Sequence, residues 1–145
     1  MSDFISIEVD KKSAEAVKKS ISQYGKKAVN AVIQGVRRTA FAIESDAKRR
    51  LKGELGSAKH WITGRLAASV HTEMDGINSF ESIKDSKSED SNLGISVDKM
   101  ESIVGTNVEY AQKIEFEYDS FLRFAGEKQS KKFSKRVEEE INKIR

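Results

Sequence analysis

The chain has no cysteine, only two histidines and one tryptophan among its 145 residues, and no long apolar run. Without cysteine there is no disulfide framework, no thiolate zinc site and no cysteine nucleophile, a usage that suits a reducing cytosol. The two histidines, His60 and His71, are not spaced as a helical i,i+4 metal pair, so a transition-metal site would need carboxylates alone. No stretch approaches the ~20 apolar residues that cross a bilayer, and the opening MSDFISIEVD lacks a basic n-region and an apolar h-region. Neither a membrane-spanning nor a signal-directed protein is expected.

What is present is charge. Charged residues make up 34% and hydrophobic residues 37%, with a net charge of +3, and mean hydropathy is −0.58. A chain of 145 residues is one ordinary domain, large enough to bury a core without staples. The net charge hides an asymmetry: residues 11–52 carry twelve Lys/Arg against Glu15, Glu44 and Asp46, whereas residues 70–120 carry twelve Asp/Glu against four Lys. The balances are +9 and −8. Three readings stay open: solvated helix faces, a phosphate-binding surface, or opposite faces that dock identical subunits head to tail.

Periodicity predicts the elements. Ile5, Ile7 and Val9 alternate as in a half-buried strand, and Asp10 caps a helix running to Gly25. Val29, Val32, Ile33, Val36, Ala40, Ile43, Ala47 and Leu51 form the longest helical stripe, ended by Gly53 and Gly56. Ala68, Val70, Thr72 and Met74 read as a strand with Ser69, His71 and Glu73 on its polar face. Residues 75–92, rich in Ser, Asp and Glu, read as a loop, mobile over about 76–92. Gly94–Val97 and Glu101–Gly105 look like two short strands around a turn at Asp98-Lys99. Asn107 caps a short helix bearing Val108, Ala111 and Ile114, and Asp119 or Ser120 caps a last helix, bent or interrupted at Gly126. The expected fold is one α+β domain over 1–145. An antiparallel sheet of about four strands is packed by one long amphipathic helix and a C-terminal helix.

Motifs for chemistry are weak. Ser69 and His71 share a strand face, but neighbours on one face stand about 7 Å apart and no nucleophile elbow surrounds the serine. Glu115/Glu117 and Asp85/Glu89/Asp90 lack a calcium-loop pattern and read as solvated charge. No glycine run forms a phosphate cradle. The expectation is no enzyme, no cofactor and no metal.

Two segments carry a resemblance: Thr63-Gly64-Arg65-Leu66-Ala67-Ala68-Ser69-Val70, and Val104-Gly105-Thr106-Asn107-Val108-Glu109-Tyr110-Ala111-Gln112-Lys113-Ile114-Glu115-Phe116, followed by Phe121-Leu122-Arg123-Phe124-Ala125. In this order after a long helix, they resemble the tail-completion (head–tail joining) proteins of tailed bacteriophages and prophages. The matched pattern positions are Thr63, Gly64, Leu66, Ser69, Gly105, Asn107, Tyr110, Ala111 and Glu115. The chain departs from the family in having no proline and in carrying Glu117 where glycine is common. Gly64 and Gly105 read as turn residues with positive φ. The resemblance implies a non-enzymatic virion protein of the neck, assembled in the host bacterial cytoplasm. It implies a homo-oligomeric ring, hexameric by preference, between head connector and tail tube, with no membrane partner. Trp61 and Phe80, in irregular segments, are candidate apolar contacts of such a ring, and Arg37 and Arg38 candidate polar ones. The alternatives are a basic, sequence-nonspecific DNA-binding accessory protein, and a tail terminator or minor head protein of the same plan.

Overall fold

The long apolar stripe becomes helix α1 (Lys26–Leu51), with Val32, Val36, Ala40, Ile43, Ala47 and Leu51 all at 0% exposure. Each buried Val, Ile or Leu of this kind contributes about 1.5–3 kcal/mol, so the stripe is the main source of stability along the helix. Val29 and Ile33 lie half-buried at its margin. Lys48, Arg49 and Arg50 occupy the last turn, where cations favour the helix dipole, and Gly53 (φ 84) then turns the chain. The computed structural model describes residues 5–8 by their backbone, residues 12, 14 and 15, and residues 25–55 and 64–144. The expected helix from Asp10 to Gly25 falls mostly outside the described residues, as does Gly56; residues 12, 14 and 15 are helical, and Ala14 joins the core.

The sheet has the order β1-β4-β2-β3, antiparallel throughout. Strand β1 (Ile5–Glu8) pairs with β4 (Ser102–Thr106), with Ile5 opposite Thr106 and Glu8 opposite Ile103. On its other side β4 meets β2 (His71–Met74), with His71 opposite Gly105 and Met74 opposite Ser102. The fourth strand, β3 (Ile77–Asn78), has only two residues and pairs with β2 across the two-residue turn Asp75-Gly76, where Gly76 takes φ 75. All five residues of β4 are buried, because it is a central strand with the helices on one face. Glu44 of α1 holds the sheet to the helix, accepting hydrogen bonds from the hydroxyls of Thr72 (2.9 Å) and Ser79.

After β4 come α3 (Ala111–Lys113), a five-residue π turn (Ile114–Tyr118), α4 (Phe121–Ser130) and α5 (Phe133–Lys143). Helices α4 and α5 lie antiparallel along α1. Gln129 bonds to Asp46, Arg136 to Thr39 at 3.2 Å, and Arg38 to Glu139 at 2.8 Å.

Four expectations about the elements are corrected. Residues Arg65–Ser69 form a short helix, α2, and the strand begins only at His71, because Gly64 (φ 84) starts a turn that Ala68 closes on the Gly64 carbonyl at 2.9 Å. Gly94–Val97 forms no strand, since both sides of β4 are already taken by β1 and β2. Gly105 is not a turn residue but an interior residue of β4, opposite Ser6 and His71. Gly126 stays buried inside α4; the C-terminal helix breaks instead at Lys131-Lys132, where the Lys132 N–H donates to the Gln129 carbonyl at 3.0 Å. The break keeps both Gln129 and Phe133 buried.

Candidate functional site

Residues of the resembling segments converge on one end of the sheet. Arg65, 7% exposed, sits in the first turn of α2 and spreads its guanidinium between two carboxylates. It donates from Nε and Nη2 to both oxygens of Asp90 at 2.9 and 2.8 Å, and from Nη1 and Nη2 to Glu109 at 3.0 and 3.1 Å. Such forked pairing is the strong form of an ion pair. Burial alone would raise the Asp90 pKa, but the Arg65 hydrogen bonds and the backbone N–H of Lys87 outweigh it, leaving Asp90 below its ordinary value. Glu109 is lowered to about 2, chiefly by its hydrogen bonds from Arg65. Arg65 is raised, with the Asp90 bonds the largest cause.

Beside this, the Ser69 hydroxyl lies 2.7 Å from the Leu66 carbonyl and 2.6 Å from Thr106 Oγ1, which also accepts from the Val108 N–H at 3.1 Å. His71 is fully buried: Nδ1–H donates to the Ser69 carbonyl (2.7 Å), Nε2 lies 2.6 Å from Glu73 Oε2, and its ring meets Phe80 edge-on at 5.6 Å. The same Glu73 oxygen accepts the Leu93 N–H at 2.8 Å. Asn107 donates its side-chain amide to the carbonyls of Asn92 (2.6 Å) and Glu89. Together these bonds fasten the stretch 87–93 against β2 and the start of α3.

A third cluster fixes the π turn. Glu115, 5% exposed, accepts the backbone N–H groups of Leu122 and Arg123 at 2.9 Å each. Its carboxylate thus satisfies donors of the first turn of α4 that have no partner within the helix. Burial raises its pKa, opposed by those two hydrogen bonds. Four residues on, Asp119 pairs with Arg50 Nε at 2.6 Å, and Arg50 stacks over Phe124 at 4.1 Å.

Several sequence expectations change here. Asp90 and Glu115, read as solvated, are buried because each meets donors brought from 25 and from seven or eight residues away in the chain. His71, read as lying on a polar strand face, is enclosed between Ser69, Glu73 and Phe80. Ser69 and His71 do not face each other through their side chains, since the histidine bonds to the serine carbonyl. Asn107 does not cap a helix; the N-cap position is Tyr110, and Asn107 reaches back to 89 and 92 instead. The N-cap of α4 is Ser120, without a side-chain cap bond, and Glu115 serves its amides. Residues 76–92, read as a loop, contain β3 and a 3-10 turn (Ser88–Ser91), and Asn78 donates to the Ser91 carbonyl at 2.8 Å.

Of the remaining named residues, Leu66 and Ala111 are core, Gly64 has the positive φ expected of it, and Tyr110 is 40% exposed. Trp61 and Thr63, with His60, lie outside the described residues. Phe80 is half-buried on His71. Arg37 is half-buried, and Arg38 is taken up by Glu139 and Glu140 of its own chain at 2.8 and 3.3 Å. Sequence reasoning missed Phe116 and Tyr118, which are 76% and 63% exposed on the π turn. The signal was the run Glu115-Phe116-Glu117-Tyr118-Asp119: with Glu115 and Asp119, four residues apart, both buried, the three residues between them are exposed. Among the described residues no group of three or more His, Asp or Glu is arranged to hold a metal. No family model matches the chain, and no curated protein or solved structure matches it.

Proposed function

We propose that this chain is a structural protein of a tailed-phage or prophage virion, joining head connector to tail as a ring-forming neck component. One observation carries the reading: the segments that resemble tail-completion proteins bond to one another. Arg65 of the first segment pairs with Glu109 of the second, Ser69 with Thr106, and Glu115 of the second with the amides of Leu122 and Arg123 in the third. Ser69 and Glu115 are matched positions of the resemblance and help to tie sheet, turn and last helices together, while Arg65 and Glu109 stand at positions that the pattern leaves open.

Against the DNA-binding alternative stands the use of four of the twelve basic residues of 11–52. Arg38, Lys48, Arg49 and Arg50 are all ion-paired within the chain, to Glu139, Glu44, Asp46 and Asp119 among others. The test is complementation in the parent phage. Deleting the gene leaves filled heads and free tails, and supplying the chain restores joining. Heads and tails that join without it refute the reading.

A further inference from the structure

Thr72 is bonded to Glu44 of α1, so His71 and Glu73, one residue to either side of it, point to the opposite face of the sheet. There His71, 0% exposed, lies between two oxygens: the Ser69 carbonyl 2.7 Å from Nδ1 and Glu73 Oε2 2.6 Å from Nε2. A carbonyl oxygen only accepts, so Nδ1 carries a hydrogen. An ionised carboxylate also only accepts. A neutral ring would therefore set the bare Nε2 lone pair against a charged Oε2 with no hydrogen between them. The arrangement is sound only with a second proton, on Nε2 or on Oε2.

Among the described residues no lysine or arginine pairs with Glu73, so that proton alone offsets its charge. Charges on the packed elements are engaged elsewhere. Glu44 of α1 bonds to Thr72 and Ser79 and pairs with Lys48, which also meets Glu81. In the stretch 87–93, Lys87 pairs with Glu109 and Asp90 with Arg65, while Glu89 is exposed beside Ser88. Across the sheet, β4 and β3 set Ile103, Gly105 and Asn78 opposite the pair, none of which ionises. Glu8 of β1 stands one strand farther, in register with Ile103. The site is closed by Phe80, edge-on to the His71 ring at 5.6 Å, and by Leu93, whose N–H donates to the same Glu73 Oε2 at 2.8 Å.

We propose that His71 and Glu73 share a proton that latches residues 87–93 onto β2, and that the latch opens as the pH rises. When the proton leaves to solvent, the Nε2 lone pair and the carboxylate repel at contact. Glu73 relieves this by swinging away, and the Leu93 N–H loses its acceptor. Arg65 and Asn107 hold the rest of the stretch, so opening begins at its Leu93 end. The sign follows from the proton count. In an unfolded chain histidine is neutral above about pH 6.5 and glutamate is charged above about 4.3. Above about pH 6.5 the folded chain thus binds one proton more than the unfolded chain. Its folding constant falls as pH rises, by up to about tenfold per pH unit, until the pair lets go. The latch belongs to the chain itself and does not depend on the ring reading.

Urea unfolding of the full chain at pH 7, 8 and 9 tests the latch, beside Glu73→Gln and His71→Gln. The amide of Glu73→Gln donates to Nε2, so a neutral ring is satisfied there without the extra proton. The folding constant of the unaltered chain is expected to fall at least about tenfold from pH 7 to 9, and that of Glu73→Gln by less than about threefold. Groups titrating elsewhere act alike in both. Amide exchange, corrected for its intrinsic base catalysis, is expected to show Leu93 losing protection over the same range in the unaltered chain only. A folding constant that stays level from pH 7 to 9 overturns the proposal. So does an equal fall in Glu73→Gln or, where that variant does not fold, in His71→Gln. Where neither variant folds, Leu93 protection in the unaltered chain decides, and protection that does not change with pH overturns the latch. None of these results bears on whether heads and tails join, so the functional reading stands or falls separately.

Discussion

Replacing Arg65 by methionine tests the central cluster most directly. Methionine keeps most of the length and apolar volume but removes the guanidinium that binds both Asp90 oxygens and Glu109. The Asp90 side chain is 1% exposed, so it is left as a buried carboxylate with the Lys87 N–H at 3.0 Å as its remaining donor. Breaking a buried pair by removing one partner costs about 3–5 kcal/mol. The Glu109 side chain is 64% exposed, and its share of the loss is at most about 1 kcal/mol. Arg65→Met is therefore expected to lose about 3–4 kcal/mol in urea unfolding, the Asp90 pair carrying most of it. Glu109→Gln is expected to lose under about 1 kcal/mol. Adding Asp90→Asn to Arg65→Met removes the stranded charge and recovers part of the loss, a coupling of about 1–3 kcal/mol in the double-mutant cycle. Amide exchange should localise the effect, with residues 87–93 losing protection first. An Arg65→Met loss below about 1 kcal/mol, or an equal loss from Glu109→Gln, refutes the assignment of this stability to the buried pair.

Lowering the pH tests the same cluster. Asp90 and Glu109 both titrate below their ordinary values, so their stabilisation is complete above the ordinary carboxylate range and is lost as pH falls toward about 2, where Glu109 protonates; urea midpoints from pH 6 to 2 should decline less steeply in Arg65→Met. Glu115→Ala should cost about 2 kcal/mol in urea unfolding, by stranding the Leu122 and Arg123 amides. Gly35→Ala would put a Cβ 2.5 Å from Val137 Cγ2; the crowding outweighs the gain in helix propensity, for a net loss of about 1 kcal/mol by thermal melting, and the same substitution made in a Val137→Ala background, itself less stable, should cost nothing further. Ser69→Ala and His71→Ala should lower the melting temperature without abolishing any hydrolytic activity of the purified chain, since both side chains are buried in structural hydrogen bonds.

The long helix was legible because its information is local. Eight apolar residues at helical spacing over 29–51 define a face whatever it packs against, and six of them are fully buried. The α+β class followed from the same periodicities. The hairpin at Asp75-Gly76 was equally local, an Asp-Gly pair between Met74 and Ile77, but the polar run after it dominated the composition of its window. Strand edges at 68–70 and 94–97 failed for a different reason. Alternation says which face a residue would take in a strand, not whether a partner strand is free to bond it.

The site was illegible where its meaning depends on pairings across the chain. A carboxylate in a Ser/Asp/Glu-rich stretch looks solvated until Arg65, 25 residues earlier, is brought against it. Asn107 and Ser120 have the chemistry of caps, and cap chemistry is a preference of residue types, whereas the amides at the start of α4 go to whichever acceptor the turn delivers. The π turn delivers Glu115. With Glu115 and Asp119 turned inward, Phe116 and Tyr118 are left 76% and 63% exposed, so the cap and the exposed aromatics have one structural cause. A variant that releases the cap, Glu115→Ala, therefore loosens the presentation of Phe116 and Tyr118 as well as the helix. Amide exchange in Glu115→Ala should quicken across residues 114–118 as well as across the first turn of α4. If only the first turn of α4 quickens, Glu115 caps the helix without holding the turn.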